Sequence, residues 1–132
     1  IHHPSTPTQY GALAALESDN SFVFNMRDTF KIRRDLLRSK ISETLGKQLP
    51  NPEGAFYLFV PVQELYGKVT PNGKVISDSI SFCSYLLESF GLAIIPGKAF
   101  GMDSCVRFSY AASEETLLEA SKRFELGVKS LK

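Results

Sequence analysis

The sequence predicts an α+β fold, a two-layer domain in which helices cover one face of a small, mainly antiparallel sheet. Three observations carry this. Long segments repeat their apolar residues at helical spacing, and short β-branched and aromatic runs stand between Pro and Gly turn signals. The last two of those runs follow one another across a short polar link, as a hairpin-like pair does. There is no internal repeat and no low-complexity segment.

Taken in order, residues 8–17 read as a short helix after Pro4 and Pro7, with Tyr10, Leu13, Ala14 and Glu17 at helical spacing. It is a connector, and Tyr10 to Leu16 offers an apolar face to dock on something larger. From about 21 to 48, Met26, Phe30, Leu37, Ile41 and Leu45 form one stripe, while Arg27, Asp28, Lys31, Arg34, Asp35 and Arg38 face elsewhere. That is a long amphipathic helix of ~40 Å. Pro50 and Pro52 are expected to end it, and Gly54 to turn the chain into a buried strand over 55–60.

Residues 67–73 form a polar loop. Ser77 or Asp78 then caps a helix whose Ile80, Cys83, Leu87 and Phe90 recur at 3-4-3 spacing, and Gly91 stops it. A strand over 92–95 closes at Pro96-Gly97, and another runs over 105–110. Ser113 caps a final helix with Glu114 and Glu115 in its first turn, where carboxylates favour the positive helix end. Leu117, Ser121, Phe124, Val128 and Leu131 continue its buried stripe.

At 132 residues, 43% of them hydrophobic, the chain fits one globular unit. A net charge of +1 gives no broad attraction to nucleic acid or anionic lipid. Cys83 and Cys105 have neither metal-knuckle spacing nor disulfide density, and read as reduced residues of a reducing, cytoplasmic compartment. No apolar run approaches the roughly 20 residues needed to span a bilayer, and the start lacks a signal peptide. Ile1 in place of an initiator methionine points to processing or a cut from a longer protein, and His2-His3 to a tag remnant.

Arg107 is the candidate site residue. It interrupts an apolar strand, and alternation puts Cys105, Arg107 and Ser109 on one face with Val106, Phe108 and Tyr110 on the other. Its planar fork suits a ligand carboxylate gripped by two parallel hydrogen bonds, but on residue chemistry alone an internal salt bridge, or a head in water, is the commoner arrangement. The glycines of Pro96 to Gly101 could let backbone approach a ligand, but the stretch lacks the features of a phosphate loop and reads as a tight connection. Lys98 has nothing near it in sequence to desolvate an amine, so it reads as solvated rather than as a Schiff-base lysine. His2 and His3 lack partners at metal-ligand spacing. Arg27, Lys31, Arg33, Arg34 and Arg38 could attract phosphate, but Asp28 and Asp35 dilute them to a solvated face. No catalytic set and no metal site can be assembled from the chain.

Four stretches together resemble a known family: Arg33-Arg34-Asp35, Pro52-Glu53-Gly54-Ala55-Phe56-Tyr57, Pro96-Gly97-Lys98-Ala99-Phe100-Gly101, and Val106-Arg107-Phe108-Ser109-Tyr110-Ala111. In order and spacing, from about residue 5 to about 126, they resemble the carboxy-terminal small domain of the fold-type-I, class I/II pyridoxal-phosphate aminotransferases, most of all the aspartate aminotransferases.

The resemblance implies residues 1–18 as a connector from the large domain and 19–132 as the small domain. It implies that Arg107 binds the substrate's α-carboxylate. Pyridoxal 5'-phosphate and its Schiff-base lysine would belong to the missing large domain, so the chain alone should not transaminate. The parent enzyme would move the amino group of aspartate to 2-oxoglutarate as a homodimer; aromatic or alanine aminotransferases, a cyclopropane-carboxylate synthase, or a non-catalytic α+β binding domain are the competing expectations.

Overall fold

The computed structural model describes residues 3–132; the readings that rest on Ile1 and His2 lie outside them. Four helices, α1 (Thr6–Glu17), α2 (Ser21–Leu45), α3 (Ser79–Phe90) and α4 (Glu114–Lys129), accompany three strands, β1 (Tyr57–Pro61), β2 (Ile95–Pro96) and β3 (Cys105–Ser109). The strand order is β1-β3-β2, antiparallel throughout. The expected two-layer α+β architecture is therefore present.

Register explains the layering. Leu58 pairs with Phe108 and Val60 with Val106, so one face presents four buried apolar side chains. Phe82 of α3 and Phe124 of α4 close over that face, with Phe124 edge-on to Phe108 at 5.4 Å between centroids and to Phe82 at 6.1 Å. Leu37 and Ile41 of α2 complete the core alongside α4. The opposite sheet face carries Tyr57, Phe59, Ile95, Arg107 and Ser109, all partly or wholly exposed.

The helix caps follow the sequence closely. Asp78 caps α3: its carboxylate accepts the Ser81 backbone N–H at 2.8 Å, while the Ser81 hydroxyl takes the Asp78 N–H in return. The Ser81 backbone N–H first, and then the Ser81 side chain, hold the Asp78 carboxyl below its ordinary range. Ser113 accepts from the Thr116 N–H at 3.2 Å, and Gly91 ends α3 in the left-handed region at φ 62°.

Several expected boundaries move. Helix α1 starts at Thr6 because Pro7 fits the first turn, where its missing N–H is no loss. Helix α2 ends at Leu45, well before Pro50: Gly46 takes φ 64° and turns the chain first. Only the second half of α2 is in the core; Met26 is exposed. Strand β1 begins at Tyr57 rather than 55, because Ala55 sits at φ 59°, incompatible with a strand. A short 3-10 helix, Gln63–Leu65, follows it.

The stripe expected on α3 is rotated. Ile80 and Leu87 face solvent, and Ser79, Phe82, Cys83, Tyr85 and Leu86 are buried. Leu92 and Ile94 do alternate inward, but only Ile95 and Pro96 find a ladder partner, so the strand expected at 92–95 is replaced by that shorter one, shifted past its end. Strand β3 ends at Ser109, not Tyr110, and Leu131 lies beyond α4, buried where Lys132 and Val69 exchange backbone hydrogen bonds. No helix among the described residues is long and apolar enough to cross a membrane.

Candidate active site

Arg107 occupies the middle of β3, the central strand, on the sheet face that the helices leave open. Beside it, Tyr57 comes from β1 on one side, and Phe100 from the 3-10 turn Gly97–Phe100 that follows β2 on the other. The guanidinium carbon lies 4.2 Å from the centroid of each ring. Among the described residues the Arg107 side chain has no carboxylate within ion-pair distance and no hydrogen-bond partner. The internal salt bridge that the sequence left open is thus absent among them, and the donors of a half-buried fork remain free for an outside anion.

The turn that brings Phe100 in is built from close approaches. A Cβ on Gly97 would stand 2.2 Å from the Met102 carbonyl oxygen and 2.3 Å from that of Cys105, so only hydrogen fits. Asp103 then ties the turn to α3: its carboxylate accepts from the Ser79 hydroxyl at 2.6 Å and from the Ser79 N–H at 3.1 Å. The Ser79 oxygen accepts the Lys98 N–H at 3.2 Å. Tyr66 donates to the Asp103 carbonyl, and burial pushes its phenol up to about 12, so it stays a neutral donor. Ser79 is fully buried, which makes these bonds costly to lose.

The remaining candidates are structural. Lys98 reaches Asp78 at 3.5 Å with its side chain half exposed, in keeping with a solvated lysine. Arg34 donates to the Pro52 carbonyl at 3.0 Å and Arg38 to that of Leu49 at 2.9 Å, so two members of the basic cluster fasten α2 to the following loop rather than facing water. Arg27 pairs with Asp28, and Arg33 lies over Phe30. His3 is exposed and bonds to the Pro4 carbonyl, and no group of metal-ligating side chains occurs among the described residues. Both cysteines are free and buried, with the Cys83 thiol pushed up to about 12 by burial.

The aromatic flanks of Arg107 and the Ser79–Asp103 link were missed in the sequence. Tyr57 was legible, since alternation from Leu58 and Val60 puts it on the open face. Phe100 was not, because its place depends on β2 pairing with β3.

Comparison with known proteins supplies the family. The family model described as "Aminotransferase class I and II" matches residues 1–124. The chain belongs to the class I and II aminotransferases. Among the relatives of this aminotransferase chain is the aspartate/prephenate aminotransferase of Cereibacter sphaeroides, 41% identical over 93% of the chain and 31% of the relative. The crystal structure of the aspartate aminotransferase from Rhizobium meliloti superposes with a TM-score of 0.94 at 39% identity, over 98% of this chain and 32% of that one. An aromatic aminotransferase from Pyrococcus horikoshii matches with a TM-score of 0.78 at 33% identity, over 92% of this chain and 31% of that one. The chain therefore spans about a third of the length of these aminotransferases.

A pyridoxal-phosphate site needs a desolvated lysine, and the clefts among the described residues offer none. Of the lysines that line them, Lys40, Lys74 and Lys129 each pair with a carboxylate at the surface, through Glu43, Glu88 and Glu125, and Lys31 and Lys122 are exposed. The described residues do not themselves fit the cofactor.

Proposed function

We propose that the chain is the carboxy-terminal small domain of a pyridoxal-phosphate aminotransferase, with 1–18 as connector and 19–132 as the domain, and that Arg107 binds the α-carboxylate of the amino-acid and 2-oxo-acid substrates. The observation that carries this is the unpaired guanidinium on an open sheet face, held between two rings with its donors free. A carboxylate meeting that fork edge-on forms two parallel, charge-assisted hydrogen bonds, which set its orientation as well as its position. Such fixation lowers the entropic part of the barrier for whatever chemistry the rest of the enzyme supplies.

The lysine and the groups that hold the cofactor belong, in this reading, to the large domain outside this chain, and the fragment by itself is inactive. Aspartate as donor draws support from relatives at 41–42% identity that are named aspartate/prephenate aminotransferase and aspartate aminotransferase; 2-oxoglutarate as acceptor belongs to the same proposal. The match to an aromatic aminotransferase supports the reading that side-chain choice does not follow from the architecture. The full enzyme would work in the cytoplasm as a homodimer.

In the full-length enzyme, Arg107→Ala should lower kcat/KM for amino acids and 2-oxo acids roughly ten- to a hundredfold, the worth of charge-assisted hydrogen bonds at 1.4 kcal/mol per factor of ten. Cofactor affinity, followed by absorbance, should stay as in the wild type. Loss of cofactor with retained substrate affinity would contradict the assignment.

A further inference from the structure

We propose that Tyr57 and Phe100 are positioning residues: the two rings clamp the Arg107 guanidinium by its faces, so that its edge is presented to a carboxylate in a fixed plane. The proposal deepens the reading of Arg107 given above and rests on it.

The argument is geometric. A guanidinium bonds hydrogen-bond acceptors through its edge and aromatic rings through its faces, and the two uses do not compete. An Arg oriented by an Asp or Glu would spend its donors on that partner. Arg107 is oriented instead by rings at 4.2 Å from its guanidinium carbon, contributed from opposite sides of the central strand, and every guanidinium N–H is unspent among the described residues.

The rings are themselves fixed. Tyr57 packs on Phe56 at 4.5 Å between centroids. Phe100 stands edge-on to Phe59 at 5.8 Å, its turn anchored by Gly97 and the Ser79–Asp103 hydrogen bonds. Yet Phe100 is 47% exposed, so its role is not that of a core residue. A long, torsionally free side chain would otherwise lose that freedom only on binding, at a cost to affinity.

The test is steady-state kinetics of the full-length holoenzyme with Phe100→Leu, Phe100→Tyr and Arg107→Gln. Phe100→Leu should raise KM for amino acid and 2-oxo acid roughly three- to tenfold with kcat nearly unchanged, the size expected when a cation–π contact is lost. Phe100→Tyr, which keeps the ring face, should restore the wild-type KM. The slow reaction of an amine that lacks the α-carboxylate should be the same in wild type and Phe100→Leu.

An unchanged KM in Phe100→Leu, alongside a raised KM in Arg107→Gln, would overturn the clamp and leave the arginine's role standing. No effect of Arg107→Gln would overturn both. Equal losses in Phe100→Leu and Phe100→Tyr would also overturn the clamp, since the ring face would then not be what matters.

Discussion

Phe124→Ala is expected to destabilise the chain by about 3–5 kcal/mol, the range for emptying a large aromatic site in a packed core. Phe124 is fully buried and edge-on to both Phe82 and Phe108, so one side chain joins α4 to α3 and to the central strand. Truncation removes both aromatic contacts and opens a void where the two layers meet. Urea unfolding of the chain should show a lower midpoint with an unchanged slope. A loss below about 1 kcal/mol would mean that the layers are not packed through this residue.

Gly97→Ala should cost about 3 kcal/mol, at the upper end for overpacking. The three atoms that a methyl would meet, the Met102 carbonyl oxygen and the Cys105 carbonyl carbon and oxygen, all belong to the backbone, so no rotamer change relieves the clash. The turn must move, and Phe100 with it. The same unfolding assay, set beside Gly101→Ala, separates this cause from backbone strain. Gly101 lies at φ 75° with open space around its Cβ position, so its substitution carries only the left-handed penalty of about 1–2 kcal/mol. Equal costs at both positions would show that the close approach at Gly97 is not the reason for glycine there.

The parts of the fold that depend on neighbouring residues were legible. The Asp78 and Ser113 caps, the Gly91 stop and the buried stripe of α4 follow from local hydrogen bonding and from a helix apolar on one side only. Helix α3 misled because it is apolar on two sides: Ile80 and Leu87 repeat as regularly as Phe82 and Leu86, and only the position of the sheet decides which pair is buried. The end of α2 was misplaced because a left-handed glycine acts before a proline further along the chain.

For the site, Arg107 stood out as a charge in an apolar strand. Its setting did not. The Ser79–Asp103 link spans 24 residues, and the pair of rings around the guanidinium arises from the order β1-β3-β2, in which the last strand lies in the middle. No local pattern encodes such an order.

The most direct test of the account compares kcat/KM for an amino acid and for the corresponding amine without its α-carboxylate, in the full-length enzyme and in Arg107→Ala. If Arg107 holds the carboxylate, the variant loses the amino-acid reaction by roughly ten- to a hundredfold and leaves the amine reaction at its wild-type rate. An equal loss for both substrates would contradict it, because the arginine would then be acting on the fold or the cofactor and not on the group it is placed to bind.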